Sequence, residues 1–330
     1  MPDVTADVKR FTENFARIRA EIAKSIVGQE EIVEGVLTAL FAGGHVLLEG
    51  LPGLGKTRLV RALADALDLD FARIQCTPDL MPADIIGTTI LTGDERGARR
   101  FEFQRGPVFS NLLLADEINR ATPKTQSALL QAMQENAVTV GNTTYPLAQP
   151  YIVLATQNPI ELEGTYPLPE AQLDRFMLKL LVRPVELAAL IAILELTTTG
   201  AETKTAKVLS KEDVVSARAL VANVPAAPAL VEFAARLVLA TNPANKDAPK
   251  SVHANVRYGA SPRGAQAILM CAKVHALAAG RFHVAIDDLK KAARPALRHR
   301  LILNFEGEAG GIATDRLIDE IVADLEAARK

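Results

Sequence analysis

The sequence predicts an α/β domain with a parallel five-stranded sheet followed by an all-α domain, and three observations carry that prediction. Five short apolar runs alternate with helical patterns between Gly44 and about Val182. A glycine-rich segment ending in Lys56-Thr57 follows the first run directly. After about Ala201 the strand-like runs stop and capped helical patterns replace them. The expected boundaries are 1–200 for the α/β domain and 201–330 for the helical one, with the polar stretch Glu202 to Lys207 as linker.

The five runs are His45-Val46-Leu47-Leu48, Phe71-Ala72-Arg73-Ile74, Asn111 to Ala115, Tyr151 to Ala155 and Phe176 to Leu181. Near-continuous apolar runs of this length suit central strands of a parallel sheet covered on both faces. Two further stretches read as inserted hairpins, at about 84–105 and 137–147. In the first, Thr88 to Leu91 and Arg99 to Phe103 flank a turn-rich segment with Gly93-Asp94 and Gly97. In the second, Ala137 to Val140 and Thr143 to Tyr145 flank Gly141-Asn142, a two-residue turn signal. In the second half Ser210 with Asp213 forms a capping box, Ser261-Pro262 supplies a cap and a first-turn proline, and Gly280 supplies a stop. Ile318, Ile321, Val322 and Leu325 then place one apolar face on a helix starting near Thr314.

Composition excludes several classes. The 330 residues, 49% hydrophobic and 23% charged with 20 Gly and 18 Pro, are those of a globular chain. No apolar run reaches a membrane span, and the polar Met1-Pro2-Asp3-Val4 start lacks the layout of a signal peptide, so a cytoplasmic protein is expected. Cys76 and Cys271 are far apart without neighbouring ligands, against a zinc site or disulfide framework. His45, His253, His275 and His283 likewise show no metal spacing. The net charge of −2 splits into −7 over residues 1–199 and +5 over 200–330. That balance, with 5% aromatics and no Trp, argues against nucleic acid as a partner. The basic cluster Arg294, Arg298, His299 and Arg300 is therefore read as a subunit contact with the acidic first half, or as a solvated face.

Gly50-Leu51-Pro52-Gly53-Leu54-Gly55-Lys56-Thr57 fits G-x-x-x-x-G-K-[ST] between a predicted strand and a predicted helix, a match that arises by chance in roughly one chain of this length in a hundred. Its glycines free backbone N–H groups to wrap phosphates, Lys56 neutralises the β- and γ-phosphates, and Thr57 offers a hydroxyl to Mg²⁺. The run Leu112 to Ala115 ends in Asp116-Glu117. Beside such a loop, Asp116 can share the metal with Thr57, and Glu117 can polarise an attacking water. The pair favours ATP hydrolysis over simple nucleotide binding.

At this point the chain resembles the MoxR family of AAA+ ATPases, in the helix-2-insert clade. The resemblance is carried by Asp116-Glu117-Ile118-Asn119-Arg120-Ala121, Val27-Gly28-Gln29, Gly106-Pro107-Val108-Phe109, Ala155-Thr156-Gln157-Asn158-Pro159, Pro169 to Phe176 and Gly259 to Gly264, arriving in family order over residues 25 to 305. It implies an AAA+ core with a helical lid. It implies Asn158 as sensor 1, Arg175 as a finger reaching the neighbour's γ-phosphate, Arg263 as sensor 2, and Val27, Gly28 and Gln29 beside the adenine. Arg263 has a physical argument of its own. With Ser261 as cap and Pro262 first in the helix, it sits in a turn whose dipole disfavours a cation, which a phosphate would offset and water would merely tolerate. The two inserts resemble hairpins that line a ring pore or remodel a client, unless they are ornaments. The resemblance further implies a ring, most commonly a hexamer, with chaperone-like work in maturation or metal-cofactor insertion, helped by a von Willebrand factor A domain protein. An MCM-like nucleic-acid motor and a chelatase motor subunit are the alternatives.

Overall fold

The computed structural model describes residues 4–51, 53–93, 99–159, 164–198 and 205–328. In chain order the first elements are α1 (Val4–Ala23), α2 (Glu30–Ala42), β1 (Val46–Gly50), α3 (Lys56–Ala66), β2 (Phe71–Gln75), α4 (Pro82–Ile86), β3 (Gly87–Gly93), β4 (Arg99–Arg105) and β5 (Leu112–Asp116). Then follow α5 (Pro123–Glu135), β6 (Ala137–Val140), β7 (Thr143–Pro146), β8 (Ile152–Gln157), α6 (Glu170–Leu173), β9 (Leu178–Val182) and α7 (Leu187–Thr198). The rest is α8 (Lys211–Asn223), α9 (Pro228–Leu239), α10 (Lys250–Asn255), β10 (Val256–Tyr258), α11 (Pro262–Ala278), α12 (Ile286–Leu297), β11 (Ile302–Leu303), α13 (Phe305–Ala309) and α14 (Thr314–Ala327).

The five apolar runs form one parallel sheet in the order β2-β5-β8-β1-β9. Strand residues alternate in direction, and here both directions are apolar. Leu112, Leu114, Ile152 and Leu154 join a core shared with α1, α2, α3 and the second half, whereas Leu113, Ala115, Val153 and Ala155 pack with α5 and β6. The register Leu112↔Ile152 and Val46↔Leu154 brings the C-terminal ends of β1, β5 and β8 to one edge, the position from which an open α/β sheet presents ligand groups.

Both expected hairpins are present. β3 and β4 pair antiparallel from Gly87↔Arg105 to Gly93↔Arg99, while the turn residues Asp94 and Gly97 lie outside the described residues. At its root Gly87 has φ +107°, and a Cβ there would sit 2.2 Å from the Gln104 carbonyl oxygen, so backbone approach demands glycine. β6 and β7 close through Gly141-Asn142 with positive φ on Gly141 alone, the pattern of a type II′ turn. Phe103 stacks on Tyr145 at 4.8 Å and meets Phe109 edge-on at 5.8 Å, joining the two hairpins.

The second half is helical apart from the small antiparallel ribbon of β10 and β11. Ser210 and Asp213 form the capping box, Ser261 Oγ accepts from the Arg263 N–H at 3.2 Å, and Gly280 has φ +75° just beyond α11. Of the Glu202 to Lys207 stretch, residues 202–204 lie outside the described residues. Helix α1 packs on α2, α3 and α11, with Phe11, Phe15 and Phe41 clustered and the Thr12 hydroxyl donating to the Leu277 carbonyl at 2.7 Å. Among the described residues no single helix is long and apolar enough to cross a membrane; α8 and α9 together reach that length and composition but meet at 95°.

Arg298, His299 and Arg300 correct the expectation that the basic cluster is a subunit contact or a solvated face, while Arg294, 54% exposed in its side chain, does lie on a solvated face. Arg294 forks onto Asp319, and Arg298 forks onto Asp315 while also donating to the Lys179 carbonyl. His299 meets the Phe176 carbonyl, and Arg300, only 3% exposed in its side chain, binds Asp174 and the carbonyls of Phe176 and Met177. Arg298, His299 and Arg300 hold the second half against residues 174–179 of the same chain, whereas the Arg294 pair lies within the second half. The opposite charges of the two halves are thus partly used within one molecule.

Candidate nucleotide site

The segment between β1 and α3 is shaped by glycines. Gly53 and Gly55 have φ of +81° and +75° with open space where a Cβ would stand, so conformation rather than crowding requires them. Gly50 answers to crowding, since a Cβ there would lie 2.5 Å from the Val182 carbonyl oxygen. Helix α3 begins at Lys56 with no side-chain cap and no acidic residue in its first turn. Its first N–H groups and its dipole are left for an anion. Lys56 Nζ donates to the Gly50 carbonyl at 2.7 Å, and burial pushes its ammonium below the ordinary lysine range against the opposing pull of Asp116 and Glu117. Pro52 lies outside the described residues, and Leu51 and Leu54 are part of the loop itself.

A cleft of about 460 Å³ opens here, bordered by Gly53, Lys56, Thr57, Asp116, Glu117 and Asn158. The structure therefore brings the loop, the two acids and Asn158 together. Asp116 ends β5, and Glu117 follows with φ +56°, a left-handed conformation that costs a non-glycine residue on the order of 1–3 kcal/mol. One residue of β8 fixes both acids. The buried Thr156 hydroxyl donates to Asp116 Oδ1 at 2.6 Å and accepts from the Glu117 N–H at 2.8 Å.

Strand β2 and Arg120 supply further contacts. Arg73 Nη2 donates to Asp116 Oδ2 at 2.8 Å and to Gln75 Oε1 at 2.9 Å. Gln75 Nε2 in turn donates to Glu117 Oε2 at 3.0 Å, where Arg120 Nη1 also arrives at 3.1 Å. Sequence reasoning assigned no role to Arg73, Gln75, Arg120 or Thr156. A signal existed in β2, where Arg73 and Gln75 share one face of an otherwise apolar strand. Cys76, next along, is buried, and its thiol is pushed up to about 12 by burial and then by Asp116 and Glu117.

The other predicted residues divide into two groups. Of Val27, Gly28 and Gln29, the last reaches the loop, where Gln29 Nε2 donates to the Leu54 carbonyl at 2.8 Å. Gly28 has φ +73°, and a Cβ there would meet Ala189 of α7 at 2.6 Å. Arg175 and Arg263 do not border the cleft; Arg263 lies beside Asp174, the residue that precedes Arg175 in the chain. The Ser261 hydroxyl donates to both Asp174 oxygens, at 3.0 and 2.9 Å, and Arg263 Nη1 is 3.5 Å from one of them. The cation in the first turn of α11 thus already has a carboxylate partner, which differs from the need for phosphate argued on sequence. Arg175 Nε is buried and has no hydrogen-bond partner among the described residues.

Hard oxygen donors suit a magnesium ion, which is normally held by one or two protein oxygens together with substrate phosphates. Thr57 and Asp116 at one cleft meet that description, and no group of three or more His, Cys, Asp or Glu side chains that could hold a metal ion occurs among the described residues. A larger cavity of about 550 Å³ lies between β9, α2, α12 and α14. It is lined by ion pairs already satisfied within the chain, among them Lys291 with Glu34 and Arg294 with Asp319.

Comparison with known proteins adds a family to this geometry. Residues 45–178 match the model of the ATPase family associated with various cellular activities, and residues 249–321 match that of the AAA lid domain. The chain is 42% identical to the chaperone MoxR1 of Mycobacterium tuberculosis over 92% of its own length and 79% of that protein. It is 33% identical to the protein MoxR of Methylorubrum extorquens over 87% of each, and 43% identical to the uncharacterised protein YeaC of Bacillus subtilis over 92% of this chain and 91% of that one. A crystal structure of a Cytophaga hutchinsonii protein assigned as an ATPase superposes with a TM-score of 0.89 at 42% identity, covering 96% of both chains.

Proposed function

The chain belongs to the MoxR family of AAA+ ATPases, and from that premise we propose that it hydrolyses ATP and uses the cycle to remodel client proteins as a chaperone-like machine. The observation that carries the reading is the single cleft shared by the uncapped start of α3, Lys56, Thr57 and the strand-end acids Asp116 and Glu117. The loop N–H groups and Lys56 bind the phosphates. Thr57 and Asp116 would hold Mg²⁺, which supplies neutralisation of charge on the β- and γ-phosphates when bound. Glu117 takes the proton of the attacking water, with Asn158, on the border of the same cleft, orienting it. Gln29 secures the Val27 to Gln29 segment where the adenine would lie.

Arg175 and Arg263 are outside the cleft of their own chain, which supports a ring in which Arg175 completes the γ-phosphate site of the neighbouring subunit. In this reading the ring is a homohexamer, and the aromatic-linked hairpins pass motion to a client. A partner with a von Willebrand factor A domain and a client that receives a metal cofactor belong to the same proposal. The test is steady-state ATP turnover alongside nucleotide binding. Glu117→Gln is expected to keep ATP binding and lose turnover by about 10²- to 10⁴-fold, and near-normal turnover would remove Glu117 from the mechanism.

A further inference from the structure

Arg73 occupies the oxygen of Asp116 that a metal would need. Of the two carboxylate oxygens, Oδ1 is taken by the buried Thr156 hydroxyl at 2.6 Å, and Oδ2 by the Arg73 guanidinium at 2.8 Å. Arg73 borders the cleft itself, and Gln75 Oε1 holds the same nitrogen in place. Its side chain is 46% exposed, so it can swing away without breaking the core. A guanidinium and a divalent cation on one carboxylate repel each other, and the one bound must leave or be outweighed when the other arrives.

We propose that Arg73 is a built-in competitor for the metal: it neutralises Asp116 while the nucleotide is away and yields when phosphates bring the cation in. The inference rests on the nucleotide reading above and adds a specific cost to metal binding without nucleotide. It also gives Arg73 a role distinct from phosphate binding. A competitor weakens metal binding, whereas a phosphate ligand would strengthen nucleotide binding with or without metal.

The experiment uses the full chain and two separate probes, Mn²⁺ alone, followed by electron paramagnetic resonance, and ADP in the presence of EDTA, followed by calorimetry. Arg73→Gln is expected to bind Mn²⁺ roughly fivefold more tightly than the wild-type chain, the size of one half-exposed charge pair, with ADP affinity in EDTA unchanged. Adding Asp116→Asn to Arg73→Gln should erase the gain, and Arg73→Lys, which keeps the charge, should stay near wild type. Thermal unfolding confirms that each variant is folded. Unchanged Mn²⁺ affinity in Arg73→Gln, or an equal gain in Arg73→Lys, overturns the proposal. Weakened ADP binding in EDTA also overturns it, because Arg73 would then be a phosphate ligand. Failure of the wild-type chain to bind ADP at all is a different result: it removes the nucleotide reading itself and the inference with it.

Discussion

Thr156 is a small residue with two obligations, since one hydroxyl orients Asp116 and also holds the Glu117 N–H in a strained turn. Thr156→Val keeps the shape and removes both bonds. It is expected to lower stability by about 1–3 kcal/mol in denaturant unfolding and to reduce turnover without removing nucleotide binding. His45 carries a prediction about pH. Its Nδ1 accepts the Val153 N–H and its Nε2 meets the Met133 carbonyl, so the ring is held neutral, and burial pushes it down to about 4. The unfolded chain takes up the proton near 6.5, so between pH 6.5 and 4 the unfolded state binds more protons and stability falls as pH falls. The loss attributable to His45 is about 3 kcal/mol over that window. Urea unfolding of wild type and His45→Asn at several pH values should show the difference between them shrinking toward pH 4. At this scale the loop residues, Asp116 and Glu117 were legible because local spacing specifies them, whereas Asn158 was reached only through the family resemblance. Arg73, Gln75 and Thr156 were not legible, because they reach the acids through the parallel register of β2 and β8, which no local pattern encodes.

The hairpins show how far one element can be read from its turn. Gly141-Asn142 specified the second hairpin and its register, and the turn-rich segment with Gly93-Asp94 and Gly97 located β3 and β4 on either side of it. What the turns could not show is that Phe103, Phe109 and Tyr145 bind the two into one unit. Aromatic pairs of this kind contribute about 0.5–1.5 kcal/mol each beyond burial. Phe103→Ala should therefore raise hydrogen exchange in β6 and β7 as well as in its own hairpin; protection lost only in β3 and β4 would mean the two move independently. Helix α1 was legible in principle from its stripe of Val8, Phe11, Phe15, Ile18 and Ile22, all buried. Its packing against α11, more than two hundred residues away, was not.

For the molecule as a whole, the seam at Asp174 joins the two halves. Arg300 is buried there, so Asp174→Ala leaves a charge without its partner and is expected to cost about 3 kcal/mol or more in unfolding experiments, with Asp174→Leu combined with Arg300→Met recovering part of it. Beyond the single chain, the proposed ring predicts complementation. Arg175→Ala and Lys56→Ala subunits, each inactive alone, should regain turnover when mixed, because one brings an intact pocket and the other an intact arginine; no recovery in verified mixed rings would remove the shared site. The basic cluster was misread at this scale because charge counts along a sequence cannot distinguish a partner in the same chain from one in another. Its actual position has a practical side. Strand β9 is one of the two edge strands of the sheet, and Arg298, His299 and Arg300 cover its Lys179 carbonyl and the Phe176 and Met177 carbonyls just before it. A fragment expressed without the second half would bare that margin to any passing strand, so the α/β portion made alone should aggregate, and the helical half is in effect its solubilising cover.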